Sequence, residues 1–304
     1  MSEPHRKYSE ETAWLGLMHT RGIGVKRGWK VHHFLRERGL GITDLYSEQA
    51  GSWRIPGISE SLMLCVRETE PQQLVQREKQ LREKALTLLY PGASQLQLPV
   101  DESLPPTLVY WGDLALLRSP RLIVLLNSRK TPQNILQKFL QINAAADEKA
   151  VWCSCPFSQQ EWDIVEGLMK AGDSVLLGSV SGIPRRAVML CKDYPDVSVG
   201  VFTPEPRLKS RYAHFSCLEG CYRLLFRLAK RILVISMQPG SRTAKRVKTA
   251  ENMGFEVTLF EDNGGGSSQS RRAAVPAGSR QAAEKSEKGW ENSPSEDDGF
   301  ISCL

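Results

Sequence analysis

Nowhere does the sequence hold the roughly 18 consecutive apolar residues that a membrane-spanning helix needs. Its opening residues, Met1-Ser2-Glu3-Pro4-His5-Arg6-Lys7, are polar and lack the apolar core of a signal peptide. Cysteine is sparse, and its count of seven is odd, scattered over Cys65, Cys153, Cys155, Cys191, Cys217, Cys221 and Cys303. Such a set does not read as a disulfide framework, and Cys153-Ser154-Cys155 has the wrong spacing for a zinc knuckle. The expectation is a cytoplasmic protein without a metal, its thiols reduced and packed as small hydrophobes.

Signatures of catalysis are missing as well. The sequence has no Gly-x-Ser-x-Gly elbow, no Gly-x-x-x-x-Gly-Lys-Ser/Thr loop and no Gly-x-Gly-x-x-Gly after its first strand pattern. Histidine is scarce, with His5, His19, His32 and His33 near the start and His214 alone in the later part. No pair of carboxylates is placed at a loop for acid/base work. Neither an enzyme nor a bound cofactor is expected.

What is present suits a folded protein with phosphate-bearing partners. The 304 residues allow two domains and a tail. Apolar residues make up 41% and charged residues 24%, and the net charge is +6. A positive balance favours anionic partners, though only weakly by itself.

Residues 1–70 read as a small all-helical domain. Trp14, Leu15, Leu17 and Met18 open one apolar face, and Trp29, Val31, Phe34 and Leu35 continue another. Between them lies Thr20-Arg21-Gly22-Ile23-Gly24-Val25-Lys26-Arg27. In a helix-hairpin-helix, Gly22 and Gly24 would let backbone amides approach a DNA phosphate while Lys26 and Arg27 supply charge. The same turn serves equally as a helical hairpin that needs glycine to reverse. Arg54-Ile55-Pro56-Gly57-Ile58-Ser59 is a second, weaker turn. Residues 71–106 read as helix and linker, with a charged amphipathic helix running from Glu70 to Leu89 and then a proline-broken connector.

Residues 107–262 alternate strand and helix patterns. Leu108–Trp111, Arg121–Leu126, Ala150–Cys153, Ser174–Leu177, Val197–Phe202, Arg231–Ile235 and Phe255–Phe260 are strand-like, several being continuous apolar runs of the kind buried on both faces. Helical patterns fall between them. The fold class is therefore α/β, with a doubly wound, mostly parallel sheet.

Three loops follow strands of that sheet and so should open on one edge, where such sheets bind ligands. Asn127-Ser128-Arg129-Lys130-Thr131-Pro132 offers two hydroxyls and two cations. Gly178-Ser179-Val180-Ser181-Gly182-Ile183-Pro184-Arg185-Arg186 leads into a helix. Pro239-Gly240-Ser241-Arg242-Thr243-Ala244-Lys245-Arg246 looks like a helix cap surrounded by cations. Arg129, Lys130, Arg185, Arg186, Arg242, Lys245 and Arg246 together would form a phosphate-tracking groove. Trp152, Trp162 and Tyr222 have the chemistry to stack on bases, although core packing suits all three.

Residues 263–304 collapse into Gly, Ser and mixed charges with too few apolar residues to offset ordering, which predicts disorder. The tip, Ser295-Glu296-Asp297-Asp298-Gly299-Phe300-Ile301, joins an acidic run to two bulky apolar residues. It reads first as a solubilising tail, with docking to a basic-rimmed pocket on a partner protein as the alternative.

The order of these segments resembles the DNA-processing protein A (DprA/Smf) family. Pro105-Pro106-Thr107-Leu108 through Gly112-Asp113-Leu114 matches its Pro-Pro-x-Leu-x-x-x-Gly-Asp-Leu run, and Asn127-Ser128-Arg129 stands where the family has Gly-Ser-Arg. The likeness covers about residues 12 to 260. It implies an extended Rossmann-like fold preceded by a helix-hairpin-helix or SAM-like module, single-stranded DNA binding, homodimerisation and loading of a RecA-type recombinase. Ser128, Arg129, Gly182, Arg223, Ser241 and Thr243 match positions that line the family's phosphate pocket. The sequence departs from the family where the loop from Gly178 to Pro184 is short and lacks an arginine and an aspartate, and where an Arg-Asn-Arg run keeps only Arg223. Two other readings stay open: a Rossmann-like nucleotide sensor or nucleotide hydrolase, and an interaction protein that binds no DNA.

Overall fold

The computed structural model describes residues 8–68, 71–93, 102, 104–180, 182–204, 215–229, 231–260 and 300–301. Helix α1 (Glu10–His19) starts where the Ser9 side chain accepts the Thr12 backbone N–H, and acidic Glu10 and Glu11 sit at its positive end. The chain then reverses through Gly22, whose φ of 95° lies in the left-handed region, and enters α2 (Val25–Glu37). The Arg27 guanidinium donates to the Gly22 carbonyl at 2.7 Å and staples the turn. Helix α3 (Glu60–Arg67) begins at the Ser59 cap, and α4 (Pro71–Glu83) follows. Trp14, Leu17, Ile23, Val31 and Leu45 fill the space between these helices. The Trp29 indole donates to the Leu104 carbonyl at 2.6 Å and ties α2 to the approach to the sheet.

The helix expected to reach Leu89 ends at Glu83. Ala85 takes a φ of 53°, which an α-helix cannot contain, and Leu86–Leu89 instead form strand β1. Leu86 and Leu88 lie on one face of the sheet, and Leu89 on the other. The local apolar pattern fits a helix as well as a strand. Antiparallel pairing with β2 (Leu108–Gly112), Leu88 opposite Val109, decides the matter.

The remaining elements are β3 (Leu122–Leu126), α5 (Gln133–Ala144), β4 (Val151–Ser154), α6 (Gln159–Lys170), β5 (Ser174–Gly178), β6 (Ile183–Pro184), α7 (Arg185–Asp193), β7 (Val199–Thr203), α8 (Phe215–Leu228), β8 (Arg231–Val234), α9 (Arg242–Asn252), β9 (Val257–Leu259) and β10 (Phe300–Ile301). Among the described residues the main sheet has eight strands in the order β1-β2-β7-β5-β4-β3-β8-β9. From β7 to β9 all neighbours are parallel, whereas β2 runs antiparallel to both β1 and β7. The sheet is thus doubly wound and mostly parallel. Of the expected disordered tail, all but Phe300 and Ile301 lies outside the described residues.

Alternation along the strands feeds two cores. Ile123 and Leu125 of β3 and Trp152 of β4 face α5, α6 and α7, and that cluster continues into the N-terminal helices. Leu122, Val124 and Leu126 face the opposite layer with Cys153, where α8 and α9 pack through Leu224, Leu225, Phe226, Val247 and Ala250. Asp173, 1% exposed, fastens one end of this arrangement by accepting from the Ala150 backbone N–H at 2.8 Å and the Asn143 amide at 2.5 Å.

His32 packs between Trp14 and Trp29, with ring centroids 5.8 and 5.5 Å away. Burial, and then the neighbouring His33 and Arg36 charges, hold its imidazole below the ordinary 6.5. The unfolded chain therefore binds this proton more readily, so stability contributed by neutral His32 is present above pH 6.5 and declines as the pH falls below it. In urea titrations the unfolding midpoint is expected to be higher at about pH 7.5 than at about pH 5.5, and the difference should shrink in His32→Gln. An unchanged pH dependence in the variant would contradict this account.

Candidate functional site

Strand order reverses between β3 and β8: β4, β5 and β7 add on one side of β3, and β8 and β9 on the other. The helices that follow these two strands, α5 and α9, lie on opposite faces of the sheet. Their connecting loops separate at the carboxyl ends of β3 and β8 and leave a crevice there, the position where open α/β sheets bind ligands.

The two loops hold each other in place. The Ile235 N–H donates to the Leu126 carbonyl at 2.9 Å, and the Thr243 hydroxyl donates to the Asn127 carbonyl at 2.9 Å. Within the first loop the Thr131 hydroxyl lies 2.6 Å from Asn127 Oδ1 and 2.7 Å from the Ser128 carbonyl. Gln160 of α6 completes the network: its Nε2 donates to the Thr131 carbonyl at 2.9 Å, and its Oε1 accepts from Asn127 Nδ2. The Ser241 hydroxyl caps α9 by accepting the Ala244 N–H at 3.1 Å. Thr131, Ser241 and Thr243, read from sequence as phosphate donors, are in this structure the groups that fix the loops. Gly182 is similar: with φ at 102°, it donates its N–H to Thr203 Oγ1 at 3.2 Å inside the fold. Ser128 is buried in the same loop as Thr131, at 6% exposure.

The expected cations divide into two groups. Arg246 is buried and forks onto Glu219 of α8, with Nη2 2.9 Å and Nε 3.1 Å from Oε1. Its guanidinium lies 3.9 Å from the Tyr222 ring centroid. Burial opposes its charge, but Tyr222 and the Glu219 carboxylate together hold its proton affinity above the ordinary value. Arg186 bonds Asp163 at 3.1 Å and Glu166 at 3.2 Å across to α6, against Trp162. These two arginines hold helices together. Arg129 and Lys130 are exposed on the β3 loop, Lys245 is exposed on α9, and Arg242 is half-buried at its first turn. Arg185 is exposed where α7 begins, and Arg223 is half-buried on α8.

Arg242 shows how closely the charges gather. Burial, then Arg129 and Arg246, press its proton affinity below the ordinary value, with Glu219 opposing them. Guanidinium groups from both sides of the strand reversal thus repel one another, and an anion placed between them would relieve that repulsion.

The aromatic beside the β3 loop is one that sequence reasoning missed. Trp152, Trp162 and Tyr222 are 6%, 5% and 3% exposed and belong to the cores. Phe157, only partly buried after β4, lies with its ring centroid 5.9 Å from the Arg129 guanidinium carbon. Its available signal was Cys155-Pro156-Phe157-Ser158, an aromatic between a buried strand and a helix cap. Nearby carboxylates are engaged: Glu161 accepts the backbone N–H groups of Phe157 and Ser158, each at 2.8 Å. Burial and the neighbouring Cys155 push the Cys153 thiol well above its ordinary range. Among the described residues no group of three or more His, Cys, Asp or Glu side chains is placed to hold a metal, and no helix is long and apolar enough to cross a membrane.

The glycine turn of the helical part is exposed at Gly22, Gly24, Lys26 and Arg27. Gly24 precedes α2 with φ at −103°, and a Cβ built there would meet nothing within 4 Å. Neither backbone strain nor internal packing demands glycine at this position.

Removing one partner of the buried pair should separate structure from recognition. Glu219→Ala is expected to cost about 3 kcal/mol in urea unfolding, because it strands the Arg246 charge in the core. Lys245→Ala, at an exposed position, should stay within about 0.5 kcal/mol of the parent. Equal costs for the two substitutions would contradict the division drawn between them.

No family model matches the sequence, and no curated protein matches it. Among solved structures, DNA processing protein A (DprA) from Streptococcus pneumoniae matches with a TM-score of 0.61 at 12% sequence identity, over 84% of this chain and 88% of that one. DNA processing protein A from Helicobacter pylori, whose structure addresses its single-stranded DNA binding mode, matches with a TM-score of 0.46 at 14% identity, over 59% of this chain and 81% of that one. The chain shares with the S. pneumoniae protein its fold, a helical N-terminal part followed by a Rossmann-like sheet.

Proposed function

We propose that this protein is a non-enzymatic, DprA-like accessory protein that binds single-stranded DNA through its phosphates at the carboxyl edge of the sheet. The observation that carries the proposal is the approach of Arg129 and Arg242 from the two loops at the strand reversal, with exposed Lys130 and Lys245 on the same two segments. A row of cations on rigid loops tracks a backbone without reading sequence, and Phe157 beside Arg129 adds a surface for a base. The turn at Gly24 would offer the amides at the start of α2 as a second phosphate contact. Engagement of Glu161 and Glu219 in structural bonds leaves neither carboxylate placed as a general base, in keeping with binding rather than turnover. The DprA fold and the sequence resemblance support a role in DNA uptake or recombination, as a homodimer cooperating with a RecA-type recombinase in the cytoplasm.

Fluorescence anisotropy of a labelled dT oligonucleotide across a salt series tests the reading. Binding should fall steeply with salt, and the slope of log affinity against log salt should shrink by about 1.4 in Arg129→Ala/Lys130→Ala, about 0.7 for each phosphate that is no longer neutralised. The Arg242→Ala/Lys245→Ala variant should behave alike. Binding that is absent, or indifferent to both substitutions, would sink the proposal. A nucleoside monophosphate that bound while the oligonucleotide did not would favour the nucleotide-sensor reading, since such crevices also seat nucleotides.

A further inference from the structure

Besides the main sheet, the described residues make a small antiparallel pair in which β10 lies against β6, with Phe300 opposite Pro184 and Ile301 opposite Ile183. Its location is informative. Ile183 and Pro184 connect the loop after β5 to the start of α7, and Arg185 follows immediately. The C-terminal end of the chain therefore reaches one of the three loops on the carboxyl edge.

The chemistry of the two segments is complementary. Pro184 has no N–H to offer a ladder, so Ile183 is the residue able to exchange bonds with Ile301. In an antiparallel pair, the residues before Phe300 are directed toward those after Pro184. The former are Ser295-Glu296-Asp297-Asp298-Gly299, and the latter are Arg185 and Arg186. Arg186 already bonds Asp163 and Glu166, whereas Arg185 is exposed. In sequence, three consecutive acidic residues thus stand just before one paired segment, and an exposed arginine stands just after the other.

We propose that the segment 296–301 is an intramolecular ligand of the edge formed by Ile183, Pro184 and Arg185. It is held by strand pairing and by its acidic run, and it competes with nucleic-acid phosphates for that end of the groove. The competition rests on the single-stranded DNA reading above, while the docking does not. An added strand supplies affinity through its backbone, and the flanking carboxylates supply the match to the cation.

The experiment compares three full-length chains: the parent, Ile301→Pro, which removes the N–H at the position opposite Ile183, and Glu296→Gln/Asp297→Asn/Asp298→Asn. Neither variant alters the main sheet. Hydrogen exchange is followed at the Ile183 and Arg185 amides, and dT oligonucleotide affinity is measured at low salt. The expected result is faster exchange in Ile301→Pro, with affinity raised about tenfold in both variants. Unchanged exchange overturns the docking. Faster exchange with unchanged affinity overturns the competition. Protection in the parent that rises with protein concentration would assign the strand to a second copy, and that overturns the intramolecular form. Should no chain bind the oligonucleotide, the nucleic-acid reading fails and the competition with it, while faster exchange in Ile301→Pro still upholds the docking.

Discussion

Parallel pairing of β3 with β8, running from Ile123 opposite Arg231 to Leu126 opposite Val234, is the constraint on which the site depends. It places two strands from distant parts of the chain side by side and pointing the same way, while the helices that follow them depart to opposite faces. Loops that leave one edge in opposite directions cannot close over it. The crevice is therefore a consequence of strand order. The Thr243 hydroxyl on the Asn127 carbonyl and the Ile235 N–H on the Leu126 carbonyl are direct bonds that keep its two lips in register.

Charge is allocated by the same geometry. Of the seven cations that the sequence places in loops on one edge, Arg246 and Arg186 are bound to carboxylates within the fold. Arg246 becomes a buried pair with Glu219 because α9 packs on α8, and Arg186 reaches Asp163 and Glu166 because α7 lies beside α6. A buried cation with a bidentate carboxylate partner is held by desolvation as much as by attraction, and is poorly placed to exchange that partner for a mobile phosphate. The remaining cations are not equivalent either. Arg242 is held below its ordinary proton affinity by burial and then by Arg129 and Arg246, with Glu219 opposing them. Arg185 lies further along the edge, at the loop that the C-terminal strand reaches.

Much of the fold was legible in the residues. Runs such as Leu122–Leu126 and Val199–Thr203 are apolar on consecutive positions because they are buried on both faces, and that pattern is local. Ser158 followed three residues later by Glu161 announces the start of α6, and Gly172 its end. The segment before the sheet was less legible. Leu86–Leu89 carries an apolar pattern that suits helix and strand alike, and only the presence of β2 as a partner makes it a strand. Similarly, nothing in the sequence around Thr131 distinguishes a hydroxyl that binds a ligand from one that braces its own loop. The difference lies in Asn127 and Gln160, the second of which arrives from another helix.

By itself, then, the sequence determined the α/β class, the alternation of its elements, the glycine turn at Gly22 and the presence of basic loops after β3, β5 and β8, since each follows from spacing, propensity and capping within a short window. The tertiary structure decided which strands are neighbours, that β2 runs against the others, that Arg246 and Arg186 are structural, that Phe157 rather than Trp152 stands by the loops, and that Phe300–Ile301 returns to Ile183–Pro184. The physical reason is range. Hydrophobic periodicity and caps act between residues a few positions apart, whereas the fate of a charge or a strand edge is set by whichever group folding brings within a few ångströms, however far away along the chain it began.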